Sequence, residues 1–253
     1  MMSELTATNN LPISVPALSA VLIGLKINCM CGRFTRMYTW AQLHALYMLS
    51  PGMERSNLQP RYNICPTTEI DIVRNRNGRP EILPARWGLI PSWWKKPLKE
   101  LPATFNARSD TIAEKPMYRA AFKSRRCIIP ASGYYEWRAG EDGGREPHYF
   151  KRADGEIISL AGLYEEWTDP LTGEVVTSAT IIVCDASEEV AHIHNRMPVI
   201  LEKHQIEPWL THKSGVEVLK PAPEGTLSEH RVSRRVNSSR ADENDETLIE
   251  PEN

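Results

Sequence analysis

Hydrophobic and polar positions divide the chain into a run of short elements. From Cys31, CGRFTRMY predicts a strand, and TWAQLHALYML places its apolar residues at helical spacing. RYNICPTTEIDIVRN predicts an extended stretch closed by the turn pair Asn77-Gly78. The aromatic, proline-broken ILPARWGLIPSWW predicts an irregular loop or strand edge. KPMYRAAFKSRR predicts a short helix, leading into CIIPASGYYEWR, whose apolar run predicts a buried strand. PHYFKRADGEIISLAGLYEEW predicts a hairpin turning at Asp154-Gly155, while TSATIIVCDAS and HNRMPVIL predict two further strands. EKHQIEPWLTH predicts a short amphipathic helix. Strands outnumber helices, and the strand-helix alternation of a doubly wound sheet is missing. The expected class is therefore α+β, one domain with a mainly antiparallel, partly closed sheet and a few short helices.

The two ends differ from this pattern. Residues 1–30 carry little charge and no strong period, so they are expected to form an extension outside the fold. The domain is expected to span 31–228, and the polar, acidic segment 229–253 to be disordered. Within the extension, LPISVPALSAVLIGL at 11–25 is interrupted by Pro12 and Pro16, is too short for a bilayer and lacks a preceding basic segment. Neither a membrane span nor a signal peptide is expected, and the expected location is cytoplasmic, at the nucleoid if the source is bacterial.

Charge changes the picture only when it is divided. The 253 residues are 41% hydrophobic and 25% charged, with a net charge of −2. The last thirteen hold six carboxylates and no base, so the −2 of the whole becomes +4 for residues 1–240. A uniformly basic coat is excluded, but a local basic groove is not. Five cysteines, Cys29, Cys31, Cys65, Cys127 and Cys184, form no CxxC pair, which disfavours disulfide and zinc scaffolds and suits a reducing compartment. GxxxxGK[ST], GxGxxG, HExxH and GxSxG are all missing.

Five segments carry polar residues that a plain strand would not need. In MCGRFT, a Cys31 made N-terminal by loss of Met30 would set an α-amine of pKa about 8 beside a thiol of pKa about 8.5. An aldehyde condenses with such an amine to an imine, which the adjacent thiol closes to a five-membered thiazolidine. In FNARSDT, Asn106 and Arg108 share one face of a strand, with Ser109 beside them. Glu136 interrupts the apolar run of IIPASGYYEWR, where burial would raise its pKa and suit it to acid/base work. In AHIHNRMPVIL, His192, His194 and Arg196 alternate along an expected strand; the histidines suit proton transfer and the arginine a phosphate. The two histidines are half a metal site with no further ligands at motif spacing, so no metal is expected. ARWGLIPSWWKK combines Trp93 and Trp94 with two lysines, suited to stacking on single-stranded nucleic acid. Taken singly, each segment also fits an ordinary structural role: a buried cysteine, a turn cluster, an edge glutamate, structural histidines, core tryptophans.

In order along the chain, MCGRFT, RYNICPT, RWGLIPSWWK, FNARSDT, the YRAAFKSRRCIIPASGYYEW run, AGLYEEW and HNRMPVIL resemble the SRAP family, the SOS-response-associated peptidase family of abasic-site sensors. The resemblance covers about Cys31 to Leu210. It implies a β-barrel-like core and a basic groove for single-stranded DNA carrying an abasic site. It further implies a monomer that works without cofactor or metal, since amine, thiol and carboxyl suffice. By motif, Cys31 is the nucleophile whose thiazolidine with the ring-opened sugar crosslinks protein to DNA. Asn106 orients its amine, Glu136 moves protons, and His194 assists opening of the sugar ring. Arg33, Arg108 and Arg196 match phosphate-holding positions, with Ser109 adjoining, and Trp93 and Trp94 match positions flanking the lesion. An imine at C1′ also acidifies C2′, so lyase cleavage by β-elimination is a second possible outcome.

The sequence departs from the family pattern at its start, where 29 residues precede Met30. An amide nitrogen at Cys31 cannot form the imine. Three explanations stand open: initiation at Met30, self-cleavage before Cys31, or an extension that persists and blocks crosslinking. Asn195, where relatives often carry Asp, is a smaller departure. Two other functions compete, a cysteine peptidase using Cys31 and His194, and a noncovalent DNA-binding module.

Overall fold

The computed structural model describes residues 31–50 and 58–252; the expected extension 1–30 lies outside the described residues. In chain order the elements are β1 (Arg33–Arg36), α1 (Trp40–Tyr47), β2 (Arg61–Ile64), β3 (Glu69–Arg76), β4 (Arg79–Trp87), β5 (Asn106–Arg108), α2 (Arg119–Ser124), β6 (Arg126–Ala131), β7 (Gly133–Ala139), β8 (Arg145–Arg152), β9 (Ile158–Thr168), β10 (Val175–Asp185), α3 (Glu188–Ala191), β11 (Arg196–Pro198), α4 (Lys203–Leu210) and β12 (Leu227–Arg231). The expected α+β class with a partly closed, mainly antiparallel sheet is what the chain adopts.

Closure occurs in one of two sheets. Strands β10, β4, β3, β6 and β9 pair in that order and β9 pairs back to β10, making a five-stranded barrel. Every pairing in this ring is antiparallel except β10 with β4, where Ser178 lies opposite Arg86. Beyond that short contact β10 runs parallel to β5 and antiparallel to β11. The second sheet, β12-β8-β7-β1-β2, is antiparallel throughout. The chain passes from barrel to sheet at Ser132-Gly133. Gly133 is required there, because a Cβ would collide with the Tyr149 ring and lie 2.6 Å from the Phe150 carbonyl.

Four expectations differ from this architecture. ILPARW is the regular strand β4 and not a loop. Pro84 is tolerated because β4 pairs β3 on one side, while its other edge meets β10 only from Arg86. CIIPASGYYEWR is two strands, β6 and β7, in different sheets. The predicted hairpin is also split: β8 pairs β7 and β12, and β9 pairs β6 and β10. The segment AHIHNRMPVIL is strand only from Arg196 to Pro198; His192 caps α3 and His194 lies in the following turn, so the three do not alternate along one face.

The C-terminal segment is likewise corrected. Leu227–Arg231 pairs with β8, and Val232, Val236 and Leu248 are buried with Tyr135, Trp137 and Tyr149 on the outer face of the antiparallel sheet. Its carboxylates meet arginines: Glu243 with Arg61, Asp245 with Arg235 and Glu252 with Arg231, each at 2.8 Å. The acidic composition that predicted disorder is neutralised locally, by Arg61 of the sheet it covers and by Arg231 and Arg235 of the segment itself.

Candidate active site and nucleic-acid interface

β1 and β7 set the first pair of groups. Arg33 lies opposite Tyr135, so Gly32 and Glu136 come next in register and Cys31 arrives beside the Glu136 side chain. The Cys31 backbone nitrogen donates to Glu136 Oε1 at 2.6 Å, and Cys31 itself is buried with φ of 32°, a left-handed turn unusual for a non-glycine residue. β5 brings the third group: Asn106 Nδ2 donates to the Cys31 carbonyl at 3.4 Å. β5 is held by Trp87, whose indole donates to the Phe105 carbonyl at 2.9 Å, and by the Tyr118 hydroxyl, which donates to the Asn106 carbonyl at 3.1 Å.

Glu136 is fully buried, and loss of hydration pushes its pKa up to about 8, opposed by the Cys31 N–H and by Arg145. A carboxyl so placed carries a proton at neutral pH and can give or take one near pH 8. Tyr134, on the same face of β7, is also buried; its hydroxyl feels Cys31 and Glu136 and its ring stacks on Phe150 at 5.1 Å.

A second cluster forms around β10. Arg108 pairs with Asp110, which also sits 3.7 Å from Arg196, and Arg196 reaches Asp185 at 3.1 Å. Arg108 and Arg196 thus share one carboxylate, with Ser109 between Arg108 and Asp110, half-buried and bonded through its N–H to the Val183 carbonyl. His194 faces the same arginine, its Nδ1 lying 3.1 Å from the Arg196 nitrogen. Burial lowers the His194 pKa below its usual value, so the ring is neutral at pH 7. β5 joins the clusters, carrying Asn106 to Cys31 and Arg108 to Asp110.

Three of the expected residues lie outside these two clusters. Trp93 and Trp94 occupy a turn closed by the Trp94 N–H to the Pro91 carbonyl, with ring centroids 6.1 Å apart. Trp93 is 51% exposed, while Trp94 is half-buried and accepts from the Trp167 indole at 2.7 Å. Arg33 points to the other face of the sheet from Glu136, bonded to Asn63 Oδ1 and to the carbonyls of Asn237 and Ser238 at 3.0–3.1 Å.

Arg145 was not singled out by the sequence. Its guanidinium lies 4.9 Å from the Trp137 ring centroid and exerts its charge on both Glu136 and His194. Gly32, Arg33, Trp137, Arg145 and Asn237 line a cavity of about 230 Å³, a cationic recess on the face of the sheet that Arg33 occupies, joined to Cys31 along the chain by Gly32. No local signal marks Arg145, which the β7–β8 pairing carries to the site. Among the described residues, no cluster of three or more His, Cys, Asp or Glu side chains is arranged to hold a metal ion. No helix among them is long and apolar enough to cross a membrane.

A family model described as SOS response associated peptidase (SRAP) matches residues 30–239. The chain is 33% identical over 226 residues to abasic site processing protein YoqW of Bacillus subtilis (strain 168), covering 87% of this chain and 99% of that protein. It is 32% identical over 225 residues to abasic site processing protein HMCES of Gallus gallus, covering 75% and 66% of the two chains. A crystal structure of a protein from Bacteroides thetaiotaomicron superposes with a TM-score of 0.78 at 28% identity, covering 88% of this chain and all of that one.

Proposed function

The chain belongs to the SOS response associated peptidase family, and from that premise we propose that it processes abasic sites in DNA, capturing them covalently in single strands through Cys31. The observation that carries this reading is the 2.6 Å hydrogen bond from the Cys31 nitrogen to a buried Glu136. Once the residues before Cys31 are removed, that nitrogen is a primary amine in contact with an acid of pKa about 8. The relatives named abasic site processing proteins support the abasic site as the substrate.

The amine adds to the C1′ aldehyde of the opened sugar, and Glu136 donates a proton to the departing oxygen so that water leaves and the imine forms. The Cys31 thiol then adds to C1′; its proton passes to the nitrogen and the thiazolidine closes, with no oxidant or reductant required. Asn106 holds the Cys31 carbonyl and thereby the direction of the amine. His194 assists opening of the sugar. Arg108 and Arg196, already gathered around Asp110, and Arg145 hold phosphates, and Trp93 offers an exposed ring to a neighbouring base. A missing base has no edge to be read, so phosphate clamps, stacking and a carbonyl-reactive amine make up the recognition.

The test uses protein beginning at Cys31 and a single-stranded oligonucleotide with one abasic site. A heat-resistant adduct of protein plus oligonucleotide mass is expected, and it should be lost in Cys31→Ser. An adduct formed by Cys31→Ser at wild-type yield overturns the reading, as does cleavage of an unrelated peptide in place of adduct formation.

A further inference from the structure

We infer that His148, held by Glu229, is a positioning residue that fixes the proton of Glu136 on the oxygen remote from Cys31. This rests on the reading of Glu136 as the proton-carrying acid. Glu136 and His148 are directly opposed in the β7–β8 register, so their side chains leave the same face of the sheet from Cβ atoms about 5 Å apart. Glu136 is fully buried and His148 is 5% exposed. Among the described residues, Glu136 Oε2 and His148 Nε2 are both buried polar atoms without a hydrogen-bond partner. Two such atoms on opposed residues, each costly to leave unsatisfied, are a donor and an acceptor waiting for one proton.

The tautomer decides which is which. Glu136 Oε1 is occupied by the Cys31 N–H. His148 Nδ1 is paired with the Glu229 carboxylate, which can only accept, so Nδ1 bears the hydrogen, and in that tautomer the ring presents a lone pair at Nε2. A neutral Glu136 then donates from Oε2 to Nε2, directly or through one water. With its proton held there, Oε1 remains a full acceptor for the Cys31 nitrogen and keeps that nitrogen oriented. The charged or titrating groups around Glu136 are Cys31 from β1, Tyr134 on β7, Arg145 and His148 from β8, and Glu229 from β12 behind His148. Arg138, two residues on, is engaged by Glu146 at 2.8 Å.

The experiment is nuclear magnetic resonance on the full chain carrying ¹⁵N-histidine and ¹³C-carboxyl glutamate, without DNA. The expected wild-type ring is neutral with its hydrogen on Nδ1. Glu229→Met releases Nδ1, the hydrogen moves to Nε2, and the Glu136 titration midpoint falls by about one pH unit, a tenfold change. In a His148→Phe background, Glu229→Met leaves that midpoint unchanged, whereas a direct field of Glu229 on Glu136 would act equally in both. An Nε2–H ring in the wild type, or equal shifts in the two backgrounds, overturns the inference. Should His148→Phe fail to fold, the ring tautomer in the wild type and in Glu229→Met decides by itself. Failure of adduct formation, which would overturn the proposed reaction, is read in a separate assay and leaves this measurement standing.

Discussion

Cys31 and Glu136, 105 residues apart in sequence, meet through a 2.6 Å hydrogen bond from a backbone nitrogen to a buried carboxyl. The carboxyl lies beside the nitrogen, and its environment favours the protonated form. Glu136→Gln should therefore keep the hydrogen-bond acceptor but lose proton transfer. Adduct formation by protein beginning at Cys31 is expected to slow by about 10²-fold or more, and the wild-type loss of rate above pH of about 8 should vanish in the variant. Rates measured from pH 6 to 10 check both.

The same group links stability to pH. Unfolded Glu136 ionises near 4.5 and folded Glu136 near 8, so between these values the folded state keeps a proton the unfolded state has released. Stability contributed by this site falls as pH rises, by up to about 1.4 kcal/mol per unit, and levels off above the folded value. Glu136→Gln removes that slope. Urea unfolding of both proteins at pH 5, 6, 7 and 8 should show the variant gaining on the wild type at each step.

In the proposed reaction His194 acts on the sugar and not on the carbonyl. His194→Ala is expected to slow reaction with a natural abasic site, which must open its ring, by about 10²-fold. It should leave reaction with an open-chain aldehyde of similar size nearly unchanged. Equal losses on the two substrates would remove ring opening from its role.

Arg145 and Trp93 are expected to contribute to binding in different ways. Arg145→Ala should weaken single-strand binding uniformly across sequences and reduce the salt slope by about 0.7, the share of one phosphate. Trp93→Ala removes a half-exposed ring and should cost about 1–3 kcal/mol of binding, leave the salt slope unchanged and hardly alter Tm. Titrations at several salt concentrations separate the two.

Leu248 is 1% exposed under the C-terminal segment. Leu248→Ala is expected to destabilise the whole domain by about 2–5 kcal/mol. A disordered tail would leave the urea midpoint where it was.

The strand-rich class, most element positions and the residue types at the site are legible along the chain. Alternation is a local steric property, so Asn106 and Arg108 could be set on one strand, and an isolated Glu136 in an apolar run could be read as a buried acid. Tertiary structure alone decided what faces what. β8 is buried at five consecutive positions, Glu146 to Phe150, so no alternation in its sequence told its partner strand, and a hairpin with β9 looked as good as the pairing with β7 that is formed. That pairing delivers Arg145 to the recess and His148 to Glu136. The C-terminal segment departs from its expected disorder for a related reason. Its carboxylates count as repelling charges along the chain; Arg61 of the sheet beneath, 182 residues from Glu243, and Arg231 and Arg235, brought back onto the segment by its own folding, turn that charge into attachment.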